Sequence, residues 1–403
     1  MASERWRQLA VLSVAELLAL SLWFSASAVL PALRREWALG DGGSAALTVA
    51  VQVGFIVGTL AAAIGNLPDV WPARRVMVVG AVVGAVANGW LALAADGLAA
   101  AIVLRFLTGV ALAGAYPPAM KIMATWFREG RGLAIGILIG ALTIGSATPH
   151  LVRGVTDLPW RHTLLVASAL ALVAAGLVVA FVREGPYAFP GARFDVRMAA
   201  AIFREPGPRL ACFGYLGHMW ELYAMWAWIG LFLADSLRAR GDGDYLGVNA
   251  SAATFAVIAV GALGCWAGGL ASDRWGRTTL TMAAMAVSGA CALAIGPTFG
   301  GPPALTLSVA LLWGVTVIAD SAQFSTAITE LCPPAYVGTA LTTQTCAGFA
   351  LNTLTIWLIP PVVAAVGWRW AFATLALGPA LGVVAMGRLR GRPEARRLAG
   401  GRR

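Results

Sequence analysis

The sequence predicts an all-α membrane protein of twelve transmembrane helices arranged as two pseudo-symmetric six-helix bundles. Three observations carry this. Of the 403 residues, 59% are hydrophobic and 12% charged, where an ordinary soluble domain carries about 25% charged residues. Apolar runs of about 20 residues, enough to cross a hydrocarbon core of roughly 30 Å as a helix, recur from end to end. The two halves of the chain also resemble each other at an offset of about 204 residues, a repeat of the kind that decides architecture.

The runs follow in order. The first, 9–31, lies behind "ERWR" and ends near the small residues "SASA"; because eleven more follow, it reads as a retained helix rather than a cleaved signal. Runs 45–65 and 76–95 flank "NLPDVWPARR", and 99–125 holds Arg105, Pro117, Pro118 and Lys121. Run 132–153 carries Gly132, Gly136 and Gly140 at the four-residue spacing that lets helices approach closely. Run 162–182 closes the first bundle, residues 1–182. The basic, proline-bearing stretch 183–208 reads as a cytoplasmic linker. The second bundle, 209–390, holds 209–234, 248–270, 278–297, 304–329, 338–363 and 368–387, and a basic tail occupies 391–403. Clusters of Gly, Pro, Asp and Arg such as "GPTFGGPP" separate the runs, because unpaired backbone is not tolerated in lipid.

Charge placement orients the chain. The basic residues are 28 arginines and a single lysine, Lys121, and the net charge is +10. Twenty arginines fall in segments on one side, seven on the other, and Arg105 and Lys121 lie within runs. The positive-inside bias puts both ends of the chain in the cytoplasm of a multi-pass protein of the plasma (inner) membrane. The arginines then meet anionic lipid headgroups, so the basic balance implies the bilayer and not nucleic acid as partner, and a monomer is expected. Cys212, Cys265, Cys291, Cys332 and Cys346 show no CxxC spacing and imply no disulfide framework.

Within the repeat, Asp69 corresponds to Asp273, Glu16 to Glu221, Tyr116 to Asp320 and Gly132 to Gly338. Parallel halves of this kind occur in secondary transporters, whose site lies between them near the midplane. The stretch "GGLASDRWGR", with Gly269, Asp273, Arg274, Gly276 and Arg277, resembles the signature loop of the major facilitator superfamily. The first-half copy keeps Gly65, Leu67 and Asp69 but has Val70 and Pro72 where that loop has Arg and Gly. "RFLTGVALAGA", with Arg105, Gly109 and Ala113, is similar to the fourth helix of the family. The resemblance implies alternating access without a cofactor, a proton gradient as driving force, and a signature loop that latches the cytoplasmic side through its Asp. An acid there is stabilised by the positive end of a helix dipole.

Ionisable groups inside spans are expensive and are functional candidates by default. Lys121 has three roles open: contact with a substrate or counter-ion, snorkelling to the interface, or a structural ion pair. His218, Glu221, Met225 and Trp228 share one face of the seventh run. An imidazole and a carboxylate one turn apart suit proton exchange, the alternative being a hydrogen-bonding pair that fixes packing. Trp220, Tyr223 and Trp226 are candidate cavity walls or packing anchors. Asp320 needs a partner from another helix, such as Lys121 or Arg105, and Gln323 lies one turn on; Glu330 reads as a boundary residue. Gln344, Gly348, Asn352 and Thr355 form one polar stripe, a cavity wall or a packing seam. Glu16 is the first-half counterpart of Glu221.

The leading expectation is a proton-coupled transporter of a small solute, an organic anion or other small metabolite. Copper or other metal import is an alternative, since His218, Met219, Met225, Met282, Met285 and the membrane cysteines are ligand types that suit it. Multidrug efflux is another, weakened because "GALTIGSATPH" lacks the Gly-Pro arrangement of antiporters in the family. A membrane enzyme or sensor is disfavoured: the sequence has no HExxH or GxSxG.

Overall fold

A computed structural model describes residues 2–65, 67, 71–127, 130–156, 158–187, 195–333 and 337–402. Among these, ten helices are long and apolar enough to cross a membrane. They comprise span 2 (Asp41–Ile64), span 3 (Ala73–Ala94), span 4 (Leu98–Trp126), span 5 (Arg131–Val155), span 6 (Trp160–Phe181), span 8 (Ala250–Trp275), span 9 (Arg277–Ile295), span 10 (Pro303–Leu331), span 11 (Val337–Val366) and span 12 (Trp368–Arg390). Span 7, Pro206–Arg240, is a single helix of 35 residues, about 52 Å long. Its Trp, Tyr, His and Glu residues dilute its hydropathy.

Span 1 corrects the sequence reading. It is not one helix but three, Ala2–Leu20, Ser25–Ala28 and Leu30–Glu36, with a turn at 21–24. Arg105 of span 4 fills that break: Nη1 donates to the Leu22 carbonyl at 2.9 Å and to Ser25 Oγ at 3.1 Å, and Nη2 donates to the Trp23 carbonyl. The guanidinium supplies the donors that the interrupted helix lacks.

Spans 4 and 10 break in the same place. Span 4 divides into Leu98–Leu112 and Tyr116–Trp126, where Pro117 and Pro118 open the second segment; span 10 divides into Pro303–Thr316 and Ser321–Leu331. Both starts differ by 205 residues. Gly109 and Gly314, 205 apart, are each pressed on a carbonyl of the neighbouring helix: a Cβ there would lie 2.0 Å from the Val51 oxygen and 1.8 Å from that of Val257. In these spans the equivalence thus runs one residue beyond the sequence offset, so Tyr116 aligns with Ser321 and Asp320 with Ala115.

Two seams join the halves. Spans 5 and 8 meet along their length. A Cβ on Gly136 would lie 2.9 Å from the Cys265 carbonyl oxygen and one on Gly140 3.4 Å from Ala262, while Asn249 Nδ2 donates to the Gly154 carbonyl at 2.6 Å. The glycine spacing does bring helices together. Spans 2 and 11 form the second seam, with Phe55 and Phe349 ring centroids 4.5 Å apart.

The linker touches both halves. The Gly185 N–H donates to Thr125 Oγ1 at 2.7 Å and the Asp195 N–H to Thr339 Oγ1 at 3.3 Å, before a short helix, Val196–Arg204. The tail folds back on the same side. Ala395 and Leu398 are buried, the Ala399 N–H donates to Glu330 Oε2 at 3.1 Å, Arg397 reaches the Leu331 carbonyl at 3.4 Å, and Arg402 donates to the Asp273 carbonyl.

Candidate functional site

The breaks in spans 1, 4 and 10 leave polar groups deep between the halves. His218 of span 7 and Asp320 at the joint of span 10 approach to 2.9 Å, Nδ1 to Oδ1, with side chains 1% exposed. The distance is that of an ion pair without hydrogen-bond alignment, and neither Asp320 oxygen has a donor among the described residues. The partner of Asp320 is therefore His218, not Lys121 or Arg105, and His218 does not pair with Glu221. Residues one turn apart on a helix sit side by side but reach different neighbours. Glu221 accepts from Ser288 Oγ of span 9 at 2.6 Å and from Trp313 Nε1 of span 10 at 2.7 Å.

Glu16, in the first half, is fully buried, and neither of its carboxylate oxygens has a hydrogen-bond partner among the described residues. Tyr116, half-buried at the start of the second segment of span 4, lies within Coulombic range of Glu16 and of Tyr215 and Tyr223 of span 7. Buried Cys265 of span 8 reaches the Ile318 carbonyl, at the joint of span 10, with its thiol at 3.7 Å. Two buried polar groupings result, His218 with Asp320 in the second half and Glu16 near Tyr116 in the first.

Next to these lies an aromatic joint. Phe55 and Phe349 meet Trp23 at 5.0 and 5.7 Å, Tyr223 stands 5.1 Å from Phe349 and 5.7 Å from Trp23, and Phe24 and Trp226 pack on Tyr223 at 6.2 and 5.5 Å. Three residues further from the linker side, one helical turn, come Gln52 on span 2, Trp226 on span 7 and Asn352 on span 11. All three are buried. Both amides and the indole N–H are without a hydrogen-bond partner among the described residues.

The other sequence candidates fall as follows. Met225 is buried in the core, and Trp220 Nε1 donates to the Thr374 carbonyl at 3.1 Å, so that ring is an anchor. Gln344 is buried with its Nε2 unpaired among the described residues. Gly348 presses on Tyr215, its Cβ position 2.4 Å from the ring, so the polar stripe of span 11 is a packing seam there. Lys121 is half-buried on Tyr116–Trp126.

Gln323 belongs to the signature loop and not to the midplane: its Oε1 accepts from Arg277 Nη1 at 2.7 Å, while Arg277 forks onto Glu330 at 2.8 and 2.6 Å. Asp273 faces the first turn of span 5, its Oδ1 3.5 Å from the Cβ position of Gly132. Gly276, at φ +87°, makes the turn from span 8 to span 9 that a side chain would strain, and Arg274 is exposed. Gly65 caps span 2 through an N–H bond to the Ala61 carbonyl. Asp69 lies outside the described residues.

Sequence reasoning missed Gln52, Ser288, Trp313, Trp23 and Phe349. Gln52 left a signal, a lone amide in the apolar run "VAVQVGF". No three His, Cys, Asp or Glu side chains gather into a metal-holding group among the described residues. A cavity of about 470 Å³ opens at the other end of the first half, lined by Arg35, Glu36, Arg153 and Trp160. Glu36 is tied there to Trp160 Nε1 at 2.5 Å and Arg161 at 3.0 Å, away from the midplane groups.

The profile of the Major Facilitator Superfamily matches residues 12–353. Over 180 residues the chain is 29% identical to the "Probable high-affinity nitrate transporter 2.4" of Oryza sativa subsp. japonica, a match covering 42% of this chain and 36% of that protein. The chain thus spans about a third of the length of that relative. A crystal structure of a point mutant of the nucleoside transporter NupG superposes with a TM-score of 0.71 over 95% of this chain and 99% of that one, at 15% identity, a likeness of fold.

Proposed function

This chain belongs to the Major Facilitator Superfamily, a transporter and not an enzyme, and from that premise we propose that it couples proton movement to the passage of a small polar organic solute. The observation that carries this reading is the His218–Asp320 pair. An ionised acid buried at the joint of a broken helix is costly unless compensated. With the imidazole protonated the charges cancel; once the imidazole gives up its proton, Asp320 must itself take one up or meet water. Proton occupancy therefore biases which side of the joint is open.

In this reading Glu16 is the first-half proton acceptor, and the two bundles rock about the seams between spans 5 and 8 and spans 2 and 11. Asp273, Arg277 and Glu330 latch the linker side, with Asp273 on the positive end of span 5. The protein works as a monomer in the plasma (inner) membrane with both ends cytoplasmic, and Lys121 acts at the cytoplasmic mouth. The expectation of an organic anion rested on Lys121 and Arg105, and the Arg105 fork is spent on span 1.

A second reading, an inorganic anion as substrate, is favoured by one observation: the Nε of buried Arg105, unlike its two terminal nitrogens, has no hydrogen-bond partner among the described residues. Proteoliposomes loaded with a pH dye separate these readings. Uracil, nicotinamide, benzoate and nitrate are added in turn, with the parent protein and with Asp320→Asn. The expected result is solute-driven acidification with an organic probe, reduced at least 100-fold in Asp320→Asn. Equal proton movement in that variant sinks the coupling role, and a response to nitrate alone selects the second reading.

A further inference from the structure

We propose that Gln52, Trp226 and Asn352 hold the transported solute, and that this solute is a flat, uncharged heterocycle carrying a hydrogen-bond donor beside an acceptor. The inference rests on the transporter reading and names its substrate class. Five polar side-chain atoms of these residues are buried without a hydrogen-bond partner among the described residues: two amide nitrogens, two amide oxygens and one indole nitrogen. Buried polar atoms left unpaired are costly, and native structures keep few of them unless they serve a purpose.

The ring contacts one turn away put the three side chains at one level of spans 2, 7 and 11. Gln52, Trp226 and Asn352 each stand three residues beyond Phe55, Tyr223 and Phe349, and those three rings touch one another directly or through Trp23, at 4.5 to 5.7 Å. The layer offers donors and acceptors together and carries no charge. A carboxylate or a nitrate has acceptors only, so it would face two amide oxygens that repel it and lose its hydration without an opposing ion. The guanidinium of Arg105 points into the carbonyls of span 1. A cyclic amide satisfies both kinds of group at once, in the way paired side-chain amides read a base edge, and the rings below give its plane an apolar floor. Because span 2 belongs to one half and spans 7 and 11 to the other, a solute held here joins the halves and must be released when they part.

The test uses intrinsic tryptophan fluorescence of the purified full chain, since Trp23 and Trp226 border the layer, with uracil, nicotinamide, benzoate and nitrate as probes. Expected are saturable quenching by the two heterocycles, none by the two anions, and at least a tenfold loss of heterocycle affinity in Gln52→Leu and in Asn352→Leu. The melting temperatures of these variants should stay at or above that of the parent, because an unpaired amide has been replaced by an apolar group. Asn352→Ser, a smaller change that keeps a polar group, must lose affinity as well. Quenching by benzoate or nitrate, or no response to either heterocycle, overturns the solute class. Affinity retained in the leucine variants, with melting temperatures that fall, makes the amides a packing pair and overturns the site. Heterocycle binding without proton movement in the liposomes leaves this site standing and removes the coupling role.

Discussion

Spans 1 and 7 occupy the same place in the two halves, and they are built in opposite ways. Glu221 is held by Ser288 and Trp313, and Trp228 donates through its indole to the Ile356 carbonyl at 3.0 Å. Their counterparts at an offset of 205, Glu16 and Trp23, have no such bonds among the described residues. The reason lies in neighbouring helices. Thr108 stands where the second half has Trp313, and its hydroxyl is spent on the Leu104 carbonyl at 2.8 Å; Gly84 stands at the place of Ser288, by the sequence offset of 204. Span 7 is one continuous helix and span 1 is interrupted over the residues matching 226–229. One duplicated plan thus yields a half in which span 7 is braced and a half in which span 1 is not, while the second half keeps, at Asp320, Trp226 and Asn352, its own groups without a hydrogen-bond partner among the described residues.

Five substitutions, in three comparisons, probe this contrast. The largest effect is expected from Arg105→Leu, which strips donors from the Leu22 and Trp23 carbonyls: a loss of about 3 kcal/mol or more, read as a fall in melting temperature. At the matching place in the second half stands the buried Ala310, which has no such duty. A melting temperature unchanged in Arg105→Leu would mean that the interrupted span needs no brace.

Gly109→Ala and Gly314→Ala come next, each forcing a Cβ into a carbonyl, at a cost of about 1–3 kcal/mol. Because both sites use the same contact, the two costs should agree; a clear inequality would break the 205-residue equivalence. The smallest effect separates the acids. Glu221→Gln should lose about 1 kcal/mol, because the amide keeps only one of the two oxygens that accept from Ser288 and Trp313, while Glu16→Gln should leave the melting temperature unchanged or raise it. Equal losses from the two would show Glu16 to be as firmly bonded as Glu221.

Much of the fold was legible because lipid imposes it. Apolar length fixed the spans, basic residues marked the linker, and Pro117 and Pro118 announced the break in span 4. The break in span 1 was not legible, because the residue that permits it, Arg105, lies about eighty positions away on another helix. The site was legible as a set of candidates and not as pairs. Glu221 beside His218 is a local pattern; His218 beside Asp320 is a contact across 102 residues that depends on the span 10 joint, where no proline gives warning. The polar layer was half visible: Asn352 and Trp226 stood out, but Gln52 gains its meaning from Phe55 meeting Phe349.

The folded-back tail has a practical consequence for handling the protein. Ala395 and Leu398 are seated in the bundle, and Arg397, Ala399 and Arg402 bond to the ends of spans 10 and 8. An affinity tag or fluorescent fusion appended to this tail would follow Arg402, which holds the Asp273 carbonyl, and would pull on the signature loop. Reporters of transport are better carried at the other end of the chain.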